Sequence, residues 1–370
     1  MKKLLCALLS VVLLFSLTVS SFAESNEPTQ KTLRVMSFNV DGLPIPTALS
    51  STKRPVSKAM KLIAAQVNAW DCDILCAQED FNYHNTLQQG LDMPYATLTS
   101  GPAVVGDGLN VFSKYPIYNV GRVAWDEAYG VFNCGSDELT PKGILYCTVE
   151  LADGVFVDVY TLHADAWEDD ASMQAKAAQF DQLERLIAQN SADRAVILTG
   201  DFNTNYSIFR DGYLNGSYKV DLCQKLLDNF VSQGFKDAWI EYNNDGNYTF
   251  TYAEMAERYG CSYHRTWDTL DHVFYRDGAG VHFDLQEAVY EGFDCEEMTW
   301  QGHLSDHAAV CVTLSCTLDA ENASAPATLE KQVFRPIRYF VEGTAHVLRT
   351  LWVALVHIPS LIRDGLDWLK

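Results

Sequence analysis

The chain has 370 residues, with 27 Lys and Arg against 48 Asp and Glu and a formal net charge of -21. Its 48% apolar and 20% charged residues are those of a globular protein with a sizeable core. So acidic a chain does not draw its affinity from neutralising many phosphates, which sets aside non-specific nucleic-acid binding, although a bound metal or local basic patch can still dominate a site.

Lys2 and Lys3, the apolar run Leu4 to Val19 and the small residues around Ala23 read as a bacterial-type signal peptide over residues 1–23. The expectation is a secreted or cell-surface protein whose main domain covers 24–316. Within it, alternation or continuous apolar character predicts strands over 33–38, 74–78, 108–113, 143–151, 155–162, 195–199, 270–275 and 308–314. Helical spacing predicts helices over 56–70, 171–189 and 221–233. Strands mixed with long helices make an α/β protein.

Ten cysteines are present, and loss of Cys6 with the signal leaves an odd number. Cys72, Cys76, Cys147 and Cys311 fall in apolar runs, where the thiol acts as a small hydrophobe. No histidine stands near the Cys72/Cys76 pair, so zinc is not expected there.

After Cys316 the composition shifts. Residues 317–330 read as a linker and 331–370 as an amphipathic helical tail, with Arg335, Arg338, Arg349 and Arg363 scattered among Phe340, Leu348, Leu351, Trp352 and Leu355. A helix lying on a membrane surface fits this pattern, and so does one packed on the domain or on a partner. Leu351 to Val356 is too short to span a bilayer. No protein partner is predicted.

Polar residues collect at the C-terminal ends of predicted strands, where α/β proteins build sites. They are Asn39, Glu79, His163 and Asp201 with Asn203, while Asp268 and Asp271 flank a late strand and Asp306 with His307 precedes the last. Carboxylates, amides and imidazoles in this number suit phosphate-ester hydrolysis. A hard divalent cation takes carboxylate and amide oxygens, and a histidine backed by an aspartate removes a proton from water.

The ordered set Ser37-Phe-Asn39, Gln78-Glu79, Leu162-His163, Gly200-Asp-Phe-Asn203, Leu270-Asp-His272 and Ser305-Asp-His307 resembles the endonuclease/exonuclease/phosphatase superfamily. The resemblance implies a four-layer α/β sandwich of two facing mixed sheets with outer helices. It implies Glu79 and Asn39 as ligands of Mg2+, or of another divalent cation such as Mn2+. Asp201 and Asn203 would hold the nucleophile and the phosphate. His307 would be the general base oriented by Asp271, for which Asp268 is an alternative. His163 would stabilise phosphoryl oxygens, and Asp306 would be a further carboxylate near the metal. The family often has Tyr where His272 stands.

The stretch Gly135-Ser-Asp-Glu-Leu-Thr-Pro-Lys-Gly143 resembles an element of the neutral and bacterial sphingomyelinases, in which an Asp and a Lys five positions apart govern activity. Asp137 and Lys142 match it and would contact substrate. An ordinary loop salt bridge has the same spacing. Leu162-His-Ala-Asp165 is shorter than the corresponding element of that branch. The resemblance therefore implies a phospholipid substrate, with sphingomyelin cleaved to ceramide and phosphocholine. A secreted DNase I-like nuclease and an inositol-phosphate phosphatase share the fold, but neither's expected basic groove is visible. Trp125, Tyr129, Trp167 and Trp267 are candidates for a choline-binding or membrane-facing rim, or for packing.

Overall fold

The described residues form twelve strands: β1 (Thr29–Asn39), β2 (Ile74–Gln78), β3 (Tyr95–Ala96), β4 (Asn110–Ser113), β5 (Ile117–Ala124), β6 (Gly143–Ala152), β7 (Val155–His163), β8 (Ala195–Asp201), β9 (Lys236–Asp237), β10 (Asp271–Arg276), β11 (Val281–Glu291) and β12 (Ala309–Leu318). The helices are α1 (Val56–Ala69), α2 (His84–Gly90), α3 (Asp170–Asn190), α4 (Leu222–Asn229), α5 (Ala238–Asn243), α6 (Tyr252–Tyr259) and α7 (Pro336–Trp368). The structure, a computed structural model, describes residues 27–44, 46, 55–131, 134–206, 221–259, 270–293 and 303–368. The expected signal peptide, Trp267 and Asp268 lie outside the described residues.

The strands form two six-stranded sheets, ordered β11-β12-β1-β2-β4-β3 and β5-β6-β7-β8-β10-β9. Each has one parallel pair at its centre, β1 with β2 and β7 with β8, flanked by antiparallel neighbours. Alternation along the strands explains the layers. Leu33 and Val35 of β1, Val157 and Val159 of β7, and Ala195 and Ile197 of β8 face a core shared by the two sheets. Met36 and Phe38 turn the other way, onto Ala59, Ile63 and Val67 of α1. Val196 and Leu198 turn onto Phe180, Leu183 and Ile187 of α3. Central strands are thus apolar on both faces, which is why β2 (Ile-Leu-Cys-Ala-Gln) and β8 read as continuous apolar runs. The result is the expected four-layer sandwich.

Most element boundaries match the sequence reading within a few residues, with informative departures. β5 and β11 are strands that hydrophobic pattern did not reveal. β5 is half-exposed along most of its length and carries Gly121 with a register shift. β11 is an edge strand with exposed polar positions. The third expected helix ends at Asn229 and gives way to a 3-10 turn over Val231–Gln233. β12 runs to Leu318, two residues into the expected linker. The rest of that segment is held down: Asn119 N–H donates to the Glu330 carbonyl (2.9 Å), and the Asn119 side chain accepts from Glu330 N–H (2.8 Å).

The fold gathers chain ends. Asn39 and Gln78 pair across the end of β1/β2, and His163 pairs with Asp201 across the end of β7/β8. Asp271, the first residue of antiparallel β10, lies opposite Asp201. Gln78 ties the sheets together, its side-chain amide donating to Thr161 Oγ1 at 2.9 Å. Gly200 explains the first letter of the Gly-Asp-Phe-Asn motif. It has φ +146°, and a Cβ there would lie 2.4 Å from the Leu162 carbonyl oxygen. Gly200→Ala is therefore expected to destabilise the fold by about 2 kcal/mol or more. An unchanged thermal-unfolding midpoint would show that β7 and β8 are not so closely spaced at that point.

Candidate active site

One amide organises the site. Asn39 Nδ2 donates to Asp201 Oδ2 (3.0 Å) and to Glu79 Oε1 (3.3 Å), while Asn39 Oδ1 accepts from Asp41 N–H (3.1 Å). It joins a carboxylate from one sheet to a carboxylate from the other. Ser305 Oγ donates to the Asn39 carbonyl (2.6 Å) and accepts from His307 N–H (3.2 Å), so the Ser-Asp-His segment is positioned by the same asparagine.

His307 Nδ1 lies 2.6 Å from Asp271 Oδ2, and its Nε2 lies 3.7 Å from Asp201 Oδ2. His163 Nε2 approaches the same Asp201 oxygen at 3.4 Å. Burial disfavours a charged His307, but the carboxylates of Asp271 and Asp201 outweigh it and raise its pKa well above the usual value. His163 goes the other way: burial and the nearby Lys142 ammonium push it down to about 3, so it is a neutral imidazole. Asp271 accordingly stands behind His307 as expected. His272, where the family often has Tyr, instead supports the next loop, with Nδ1 2.8 Å from Asp237 and Nε2 2.7 Å from the Thr204 carbonyl.

Glu79 ends β2 with φ +56°, a left-handed conformation that costs a glutamate of the order of 1–3 kcal/mol. Burial and the carboxylates of Asp306 and Asp41 push its pKa up to about 7. Two acidic groups around one buried carboxyl are a donor set fitted to a hard divalent cation, which would relieve the repulsion that raises Glu79. Asp201, Asp271 and His307 offer a second set of ligand atoms within 4.8 Å of one another.

Lys142 forms an ion pair with Asp137 and donates to the Ala164 carbonyl at 3.2 Å. Asn203 Nδ2 reaches the same carbonyl at 3.1 Å, so Lys142 and Asn203 meet on one peptide directly after His163. Burial opposes the Lys142 charge, yet Asp137, Asp201 and Glu79 together keep it protonated. Asp137 is also hydrogen-bonded to Asp165. Burial and Asp137 push Asp165 up to about 9, so Asp165 holds the proton of that carboxyl pair.

All ten residues named from the sequence thus fall in or beside one cluster. Trp125 is a packing residue, buried and donating to the His163 carbonyl at 2.8 Å, whereas Trp167 is 63% exposed. Sequence reasoning missed the supports. Asp80 accepts from Asn110 (2.9 Å) and pairs with His84 (2.6 Å), fixing the turn after Glu79. Lys176, fully buried on α3, donates to the carbonyls of Trp167 (2.7 Å) and Asn203 (2.8 Å). A lysine at an inward position of the helix, spaced with Met173, Phe180, Leu183 and Ile187, was the available signal for the latter.

Residues 36–307 match the Endonuclease/Exonuclease/phosphatase family. The chain belongs to that family. A sphingomyelinase of Mycobacterium tuberculosis is 32% identical over 307 residues, covering 80% of this chain and 55% of that protein, so the chain spans little more than half of the relative's length. Among solved structures, TDP2 of D. rerio complexed with a single-strand DNA product is 15% identical, covers 77% of this chain and 99% of its own, and has a TM-score of 0.52. SmcL, at 18% identity with the same coverages, has a TM-score of 0.50. At these identities both report the fold alone.

The Asp137–Asp165 proton has a measurable consequence. The folded value of Asp165 is raised above the ordinary 3.8, so its contribution to stability is full below that value and is lost as pH rises toward about 9. Asparagine cannot ionise. The stability advantage of the wild type over Asp165→Asn should therefore shrink steadily from about pH 5 to about pH 8. Parallel thermal unfolding of the two proteins tests this, and a difference independent of pH would remove the shared proton.

Proposed function

We propose that the protein is an exported, metal-dependent phosphodiesterase that hydrolyses sphingomyelin to ceramide and phosphocholine. The observation that carries this reading is the Asp137–Lys142 ion pair. It matches the sphingomyelinase-like element, and Lys142 meets Asn203 on the Ala164 carbonyl beside His163. The identity to the mycobacterial sphingomyelinase over 80% of the chain supports the same branch. A net charge of -21 disfavours a polyanion but tolerates a head group bearing a quaternary ammonium.

Once the His307 imidazolium has lost its Nε2 proton, Asp271 accepts the hydrogen bond from Nδ1–H and fixes the tautomer that leaves a lone pair on Nε2. That lone pair removes a proton from the attacking water, and Asp201 beside it stabilises the imidazolium that forms. Water oxygen bonds to phosphorus as the phosphorus–oxygen bond to ceramide breaks, and the departing oxygen takes up a proton, in net terms the one His307 removed, so that ceramide leaves as the alcohol. His163, held neutral, donates a hydrogen bond to a phosphoryl oxygen, and Lys142 supplies positive charge at the same group. Glu79 and Asn39 would hold Mg2+ or Mn2+, with Asp306 close by, and a cation held there would supply positive charge against the negative charge developing on the phosphoryl group.

The test is phosphocholine release from sphingomyelin vesicles with and without Mg2+, beside phosphatidylcholine vesicles and plasmid DNA. Release from sphingomyelin that chelation abolishes is the expected result. Nicking of DNA without lipid hydrolysis would replace this reading with the nuclease one. His307→Ala should lower kcat by about a thousandfold without unfolding the protein. Lys142→Ala should lower lipid turnover more than turnover of a small soluble diester, and equal losses would remove its role in substrate selection.

A further inference from the structure

Helix α7 is packed inside out. It has 33 residues and a length of about 50 Å. The side turned to the domain is mostly small or polar: Gly343, His346, Thr350, Ala354 and His357 are half-buried, with Val347 and Val353 the larger apolar residues among them. The opposite side carries Ile337, Val341, Leu348, Leu351, Trp352 and Leu355, all exposed, with Ile337 at 80% and Trp352 at 65%. These positions recur at three- and four-residue spacing, so they form one stripe. A surface helix whose large apolar residues served the core would show the reverse arrangement. Contiguous apolar surface of this kind marks a docking face.

Charge selects the occupant. Residues 331–370 hold six Lys and Arg against three Asp and Glu, in a chain whose net charge is -21. A second copy approaching this face would bring its own strongly acidic body with it. A bilayer presents apolar chains to the stripe and phosphate groups to a segment whose sequence carries an excess of Lys and Arg. Among the described residues no helix is long and apolar enough to cross a membrane, so α7 would lie in the interface plane.

The inner side of the helix meets the loop that carries the proposed substrate lysine. Thr350 Oγ1 donates to the Leu139 carbonyl at 3.3 Å. Arg349 lines a small cavity together with Asp137, Lys142 and Asp165. We infer that the outward face of α7 is a lipid-docking surface that holds the 134–142 loop, and with it Lys142, about one helix diameter from the bilayer. The inference deepens the lipid-substrate reading and rests on it for the choice of a membrane as occupant.

The experiment uses the full chain and its Leu351→Glu/Leu355→Glu variant, in flotation with sphingomyelin–phosphatidylcholine vesicles, with and without phosphatidylglycerol. Wild type should float with both, more strongly with the anionic lipid. The variant should lose binding and vesicle hydrolysis together by about tenfold or more. Its hydrolysis of a small soluble diester should be unchanged, which also reports that it is folded. Equal flotation of wild type and variant would overturn the inference. So would a wild-type dimer in solution that the variant dissociates, with no vesicle binding, since the stripe would then be a contact between copies. Vesicle binding that the variant loses, with no lipid hydrolysed by either protein, would support the docking face and remove the substrate reading.

Discussion

The site depends on keeping several buried carboxyl groups at the meeting of two sheets without their mutual repulsion prising the sheets apart. Asn39 supplies the neutral part of the solution by donating to Asp201 and Glu79 at once. Lys142 supplies the charged part, standing among Asp137, Asp201 and Glu79. The residual strain is visible in Glu79, pushed up to about 7, and in Asp165, pushed up to about 9. Groups so far from their ordinary values mark a site selected for chemistry rather than for stability.

Backbone geometry shows the same tension. Asp41, Glu79, Trp167 and Asn203 all have left-handed φ values, and all lie in or next to the segments that end the parallel strands. Each left-handed turn redirects a side chain, and the surrounding hydrogen bonds hold it there. Asp80 with His84 and Asn110 serves Glu79, and Lys176 serves both Trp167 and Asn203. These supports form a frame behind the clustered polar residues, of the kind that pre-organisation of a site requires.

Legibility in the sequence followed burial. β2 and β8 were readable because both faces are buried and the chain there is apolar throughout. β5 and β11 were not, because a half-exposed strand and a polar edge strand have no such run. The clustered polar residues were readable because they sit at strand ends in recognisable short motifs, and Asp271 does lie 2.6 Å from His307. The role of His272 was not, since it depends on Asp237 and Thr204, far away in the chain. The proton between Asp137 and Asp165 is likewise a property of two side chains meeting, which no local pattern encodes.

The interior thiols carry a consequence for how the protein survives oxidation. Cys76 and Cys147 lie in the core between the sheets, and Cys72 and Cys311 lie beneath α1. Burial raises the pKa of all four, to about 12 for Cys76, so the reactive thiolate is suppressed once the chain has folded. The unfolded chain has no such shelter, and in an oxidising medium its cysteines are free to cross-link wrongly. The native state therefore protects itself kinetically as well as thermodynamically: each excursion to the unfolded state exposes thiols whose oxidation blocks the way back.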